Sequence, residues 1–137
     1  MKLYHTSWNE IDRLGQRPLW FALELEHATE GWAKTDPTKL GWVYEGTFAG
    51  ELANEQDPAV QMLFSDYNID IEEYVLALLA NPTETEIMSE PGSYLLQLMG
   101  YDAFQYTDYD PRDFSKDLPS ILVFSPQDSI SGFSLIH

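Results

Sequence analysis

The chain has 137 residues, a length that suits one hydrophobic core better than two, so we expect a single domain over residues 1–137. Hydrophobic residues make up 44% of it and aromatic residues 14%, which favours a packed globular protein over a disordered one. The 23 acidic and 7 basic residues give a formal net charge of −16. This charge repels phosphate backbones, which argues against direct nucleic-acid binding and makes a basic protein the expected partner.

The absence of cysteine excludes disulfides, thiolate catalysis and cysteine-bound zinc. No apolar run approaches the roughly 18 residues of a membrane span, and no basic segment followed by an apolar core opens the chain. We therefore expect a protein of the cytoplasm that neither binds nor crosses a membrane.

The histidines and aspartates do not form a recognisable metal motif. Three histidines are too few for a histidine-rich centre; we expect His27 on a helix surface and His137 at the chain end. Asp108, Asp110 and Asp113 match a calcium loop in density only, because the glycine and the distal glutamate are missing. No metal site is predicted.

The first third of the chain predicts two strands, each followed by a helix. Residues 1–7 form a buried strand that ends in His5, Thr6 and Ser7, and Ser7 is expected to cap a short helix or turn over 8–14. The apolar run 19–23 predicts a central strand, and the acidic start of 24–33 predicts a helix. A bent or bulged strand follows over 40–49, where two glycines interrupt it.

The middle of the chain predicts helices. Asp57-Pro58 opens one that runs to about residue 67, and the spacing of apolar residues in 70–79 is that of one helical face. We expect Asn81-Pro82 to end the second helix and residues 93–99 to form a third.

The last third predicts a return to strands at 101–106, 120–124 and 132–136, with an acidic, aromatic loop over 107–118. Strands at both ends of the chain and helices between them indicate the α+β fold class.

Four short motifs, in this order, resemble the ADP-ribosyltransferase fold of the His-Tyr-Glu kind. They are Tyr4-His5-Thr6-Ser7, Trp20-Phe21-Ala22, Gly100-Tyr101-Asp102-Ala103-Phe104 and Val123-Phe124-Ser125-Pro126-Gln127. The opening Tyr-His-Thr-Ser-x-x-Glu-Ile of residues 4–11 is similar to that of small phage anti-CRISPR ADP-ribosyltransferases. The resemblance implies a split β-sheet core with helices inserted mid-chain, and NAD as the co-substrate.

The resemblance also implies roles for particular residues. It gives His5 a hydrogen bond to an NAD ribose, Thr6 backbone bonds to the nicotinamide amide, and Trp20 or Phe21 a stack on the nicotinamide ring, with Phe21 the one expected to face the ligand. The catalytic acid falls on Asp108. A carboxylate suits this role because cleavage of the nicotinamide bond builds positive charge on the ribose. The neighbouring Ser7 and Ala22 belong to the same two cofactor-binding motifs.

Two departures from the family pattern leave alternatives open. The glycine that commonly follows the histidine is absent, so the backbone of Thr6 must approach the ligand despite a side chain. Gln127 stands where many relatives have Glu; it can hydrogen-bond a hydroxyl but cannot act as a base. Catalysis then depends on Asp108, or alternatively on Asp110 or Asp128, and an inactive NAD-binding relative is a further alternative.

The expected function is transfer of ADP-ribose from NAD to a basic host protein, most concretely by a phage-encoded inhibitor of a defence complex. The same site would instead hydrolyse NAD in a toxin. An alternative from another class is a non-enzymatic acidic inhibitor that mimics nucleic-acid phosphates on a basic protein surface.

Overall fold

The computed structural model describes residues 1–31, 41–80, 82–110 and 113–136. Within them lie seven strands and six helices, which confirms the α+β class. The strands are β1 Lys2–Ser7, β2 Leu19–Ala22, β3 Trp42–Phe48, β4 Leu52–Asn54, β5 Ala103–Asp110, β6 Asp113–Val123 and β7 Ile130–Leu135. The helices are a π-helix at His27–Gly31 and α1 Pro58–Asp66, α2 Ile71–Leu79, α3 Glu84–Ser89, α4 Pro91–Leu98 and α5 Pro126–Ser129.

All seven strands belong to one sheet, in the order β4-β5-β6-β2-β1-β3-β7. Every neighbouring pair is antiparallel except β4 and β5, which are parallel. A parallel pair needs a long crossover connection. Helices α1 to α4 supply it, which confirms that the helices are inserted in the middle of the chain.

Local capping explains where the mid-chain helices begin. The Asp57 side chain accepts from Ala59 N at 2.9 Å, with Pro58 in the first turn, and the Asp70 side chain accepts from Glu72 N at 2.9 Å. Asp57-Pro58 predicts the start of α1, whereas α2 is predicted from its apolar spacing and not from its cap. Helix α4 begins at Pro91, two residues before the predicted start.

Of the short helix or turn expected over 8–14, the structure has the turn: the Ser7 hydroxyl accepts from Asn9 N at 3.1 Å and donates to Asn9 O at 2.7 Å. One predicted element, the loop over 107–118, is wrong. Residues 107–118 are not simply a loop, since β5 continues to Asp110 and β6 starts at Asp113.

Two other predictions hold in part. Within the helix expected over 24–33, residues 25–31 are helical, and His27–Gly31 form a π-helix. Residues 32–33 lie outside the described residues, as do Leu40, Asn81 and His137. The bend expected in the 40–49 strand is confirmed, since the register of β3 against β7 shifts between Glu45 and Thr47.

Alternation along the strands divides the core between the two faces of the sheet. One face, here called the helix face, packs against α1, α2, α3 and α4 through Phe104, Tyr106 and Leu122. The opposite face buries Leu3, Phe21 and Ile121, and Leu14 from the segment between β1 and β2 packs against it. Among the described residues, no helix combines the length and the apolar character needed to cross a bilayer.

Gly92 lies where α4 packs closely against the aromatic rings of α1 and α2. A Cβ at this position would lie 2.7 Å from the Tyr74 ring and 3.0 Å from the Phe64 ring. We expect Gly92→Ala to lower the free energy of unfolding by about 1–3 kcal/mol because these rings must shift. Gly15→Ala is the matched control, since nothing lies within 4 Å of its Cβ. Equal stability of the two variants in urea denaturation would contradict this account of the packing.

Candidate functional site

The candidate site lies where β2 meets β1, the shortest ladder of the sheet. These two strands share a single register pair, Tyr4 with Ala22, whereas β1 pairs with β3 over six residues and β2 with β6 over four. The sheet therefore consists of a four-strand part and a three-strand part that are joined by few backbone contacts. Side chains are needed to hold this junction.

His5 supplies such a contact. Its Nδ1 lies 2.6 Å from the carbonyl oxygen of Trp20, and its ring centroid lies 5.5 Å from that of Phe21. Burial lowers the pKa of His5 below its ordinary value, and the bond to the Trp20 carbonyl opposes this in part. The ring is thus neutral near pH 7, with Nδ1–H as the donor to the carbonyl.

Strand alternation separates His5 from Asp108. Residues that are register partners on adjacent strands point to the same face of the sheet. The pairs Tyr4–Ala22, Ala22–Ser120 and Ser120–Tyr106 therefore place these four residues on one face, from β1 across to β5. Asp108 is two residues after Tyr106 and shares that face, which is the helix face. His5 follows Tyr4 and lies on the opposite face with Phe21. The structure does not bring together His5 and Asp108, two of the three predicted catalytic residues, of which the third is Gln127.

The helix face gathers an aromatic ring, two hydroxyls and a carboxylate. Trp20 Nε1 donates to the Tyr106 hydroxyl at 2.6 Å, and the Ser120 hydroxyl donates to Asp108 Oδ2 at 3.4 Å. Burial raises the pKa of the Tyr106 phenol, and the nearby charges of Asp108 and Glu55 add to that rise. Tyr106 is therefore a neutral hydrogen-bond partner and not a base.

Trp20 and Phe21 lie on opposite faces of the sheet. Phe21, the residue expected to face the ligand, is 2% exposed and packs among apolar residues, so it has no open surface on which a ring could stack. Trp20 is half-buried and lies on the face that carries Asp108.

Thr6, Ser7 and Ala22 have local partners of their own. The Thr6 hydroxyl donates to the Ala28 carbonyl at 3.2 Å and holds the π-helix over the helix face. Ala22 is buried beside Ala28, and Ser7 forms the turn with Asn9. Thr6 and Ala22 thus border the Trp20–Asp108 cluster, whereas Ser7 does not share its face.

Of the remaining catalytic candidates, Gln127, Asp128 and Asp110, the first two do not belong to the Trp20–Asp108 cluster. Gln127 is an exposed residue of α5, and its backbone N–H donates to Gly15 O at 3.0 Å. It follows the end of β6 that is remote from the Asp108–Leu118 pair. Asp128 accepts from the Ser125 hydroxyl at 2.8 Å in the same turn. The Asp110 side chain lies outside the described part of the chain.

His27 differs from its prediction as a surface residue. Its side chain is only 12% exposed, and Nε2 lies 3.4 Å from a Glu24 carboxylate oxygen. Its Nδ1 is buried and has no hydrogen-bond partner among the described residues. The same residues contain no group of three His, Cys, Asp or Glu side chains that is arranged to hold a metal ion.

Tyr106 and Ser120 were missed as site residues. The alternation of residues 101–106 indicates the face of the sheet on which Tyr106 lies. A loop over 107–118 assigns no face to Asp108, but β5 in fact continues to Asp110. Extending the strand to Asp110 would have put Tyr106 and Asp108 side by side.

Comparisons of the chain with protein-family models, with curated proteins and with solved structures found no match. No family is shown for this chain. Statements about its activity therefore depend on the geometry above and on the motif resemblance.

The lowered pKa of His5 predicts a pH-dependent stability. Between the folded pKa and the ordinary value of 6.5, the unfolded chain binds more protons, so the free energy of unfolding falls as pH falls below 6.5. His5→Gln keeps a hydrogen-bond donor but removes the titration. We expect wild type to lose roughly 1 kcal/mol more than the variant between pH 7.5 and 5.5 in urea denaturation. Parallel pH profiles would show that His5 is not buried in its neutral form.

Proposed function

We propose that this protein transfers ADP-ribose from NAD to a protein, with NAD bound on the helix face beside the β1–β2 junction. The observation that supports this site best is that the Trp20 ring and the Asp108 carboxylate share one face of the sheet. Trp20 on β2 bonds Tyr106 on β5, across β6, and Asp108 on β5 bonds Ser120 on β6. The fold class and the motif order are consistent with the proposal. Neither identifies the reaction by itself.

Trp20 and Asp108 have complementary tasks in such a reaction. The indole offers a flat surface on which a nicotinamide ring stacks. The bond between ribose C1′ and the nicotinamide nitrogen breaks with its electron pair leaving on nicotinamide, and positive charge develops on the ribose. The carboxylate of Asp108 stabilises that charge. A nucleophilic side chain of the target then bonds to C1′ and releases a proton.

His5 takes a different role in this proposal from the one that the resemblance implies. Because it lies on the opposite face, it does not touch the ribose directly. It holds the Trp20 carbonyl and so positions Trp20. Thr6, which anchors the π-helix above the same face, is the residue of the first motif nearest the proposed ligand.

The target in this proposal is a basic protein, since the net charge of −16 favours docking on a positive surface. A phage-encoded inhibitor of a host defence complex is the version that the motif resemblance favours. In the alternative of an inactive NAD-binding protein, NAD would bind at Trp20 but Asp108 would not promote cleavage of the nicotinamide bond.

Asp108→Asn tests the chemistry. We expect NAD turnover, measured as nicotinamide release, to fall roughly 10²–10⁴-fold because the amide cannot stabilise positive charge on the ribose. NAD affinity, measured by calorimetry, should change little. Asp66→Asn is the control, an exposed carboxylate at the end of α1. Wild-type turnover by Asp108→Asn would exclude Asp108 as the catalytic acid, and no NAD binding by wild type would refute the proposed function.

Trp20→Leu tests the stacking surface. Loss of the ring should weaken NAD binding about three- to tenfold, the range expected for one aromatic contact. Trp42→Leu is the matched control, because Trp42 pairs with Ser7 and so lies on the opposite face. Calorimetric affinities that fall equally in both variants would indicate a general loss of structure instead of a contact at Trp20.

A further inference from the structure

The outer side of α3 and α4 carries apolar side chains that the core does not use. Met88, Tyr94 and Leu98 are 42%, 67% and 62% exposed. Gln97 Nε2 lies 4.0 Å from Met88 Sδ, so the two helices meet through these side chains. Tyr94, Gln97 and Leu98 fall on one side of α4 at 100° per residue. We call Met88, Tyr94, Gln97 and Leu98 the α3–α4 patch.

The inner side of the same helix is already occupied. Gly92, Ser93, Leu95 and Leu96 are buried against the core, and Ser93 is within hydrogen-bond distance of the Tyr74 hydroxyl at 2.7 Å. Folding therefore does not require the outward residues to be apolar. Large apolar side chains grouped on a free surface are typical of a binding site.

The charge around the patch has one sign over a long stretch of chain. Residues 40–111 contain fourteen Asp and Glu residues and no Lys, Arg or His. Two acidic residues lie close to the patch along the chain. Glu84 lies one helical turn before Met88. Glu90 lies one turn before Tyr94, and its carbonyl accepts from Tyr94 N at 3.2 Å. Arg17, from the segment before β2, lies 3.5 Å from Glu84, and both side chains are exposed. Cations must therefore come to this layer from elsewhere in the chain or from a partner.

We propose that the α3–α4 patch docks a basic segment of a partner protein in which Arg side chains alternate with apolar ones. The apolar side chains cover Met88 and Leu98, and an Arg guanidinium stacks on the exposed Tyr94 ring. The surrounding carboxylates complement the positive charge and steer the encounter. A second copy of this chain fits poorly, because it would bring two acidic layers together.

This inference goes beyond the proposed function and does not depend on it. An ADP-ribosyltransferase would use the patch to hold its target, and a non-enzymatic acidic inhibitor would use it to block one. The docking residues are separate from Trp20 and Asp108, so the two proposals can fail independently.

A defined peptide probe tests the proposal on the full chain. The probe is a fluorescein-labelled helical peptide of alternating Leu and Arg pairs, and its partner probe has every Arg replaced by Gln. Fluorescence anisotropy should show that wild type binds the Arg peptide and that the Tyr94→Ser/Leu98→Ser variant binds it at least tenfold more weakly. The control variant Met62→Ser/Leu76→Ser changes two residues that are 66% and 64% exposed on α1 and α2, and should bind within twofold of wild type.

Each contrary outcome overturns the proposal. Equal binding by the patch variant and wild type would mean that net charge alone attracts the peptide. Equal binding of the Gln peptide would mean that the patch is merely apolar. Sedimentation of wild type as a dimer that the patch variant abolishes would make a second copy the occupant. The urea denaturation midpoint of the patch variant should equal that of wild type, so a loss of peptide binding by the folded variant is assigned to the patch itself.

Discussion

The hydrogen bond from the His5 ring to the Trp20 carbonyl is the contact on which the arrangement of the sheet depends most. It lies beside the single register pair between β1 and β2, where the two parts of the sheet have the least backbone bonding. Trp20 in turn donates to Tyr106 on β5. These two bonds thus link β1 to β2 at the shortest ladder and β2 to β5 across β6.

The helical layer has a closed inner side and a free outer side. Its inner side is fixed by aromatic contacts among Phe64, Tyr74 and Phe104, whose ring centroids lie 5.2–6.4 Å apart, and by the close approach of Gly92 to Tyr74. This packing leaves the sheet and the helices little freedom to slide, so the Trp20–Asp108 cluster on the sheet and the α3–α4 patch on the helices keep a fixed relation. The two proposed sites therefore lie on distinct surfaces of the fold.

Elements with local chemical signals were predictable from sequence. Asp57-Pro58 marks the start of α1, where the Asp57 side chain accepts from Ala59 N, and the apolar spacing within 70–79 marks α2. Helix α3 was missed although Thr83 and Glu86 form a capping box, since only six residues follow the cap. The inner parts of β5 and β6 were predicted as strands, but their continuation into 107–118 was not, because aspartates and a proline interrupt the apolar pattern there. Strand pairing, a tertiary effect, outweighed propensity in that segment.

Some members of the candidate site were predictable from sequence, but Tyr106, Ser120 and the grouping of the residues were not. Thr6, Trp20 and Asp108 were named from motifs, and the structure brings them to one face of the sheet. His5 was placed with them, yet the alternation of side chains along β1 sends it to the other face. That division follows from the register between β1 and β2, which no local pattern in the sequence encodes.

The measurement that tests the central claim most directly is an NMR titration with NAD that follows the indole N–H signals, assigned with single Trp→Phe variants. If NAD binds on the helix face beside the β1–β2 junction, the Trp20 signal shifts, because its N–H bonds Tyr106 at the proposed site, and the Trp42 signal does not. A shift at Trp42 with Trp20 unchanged would place the ligand on the opposite face with His5. The absence of any shift at saturating NAD would contradict the proposal that this protein binds NAD.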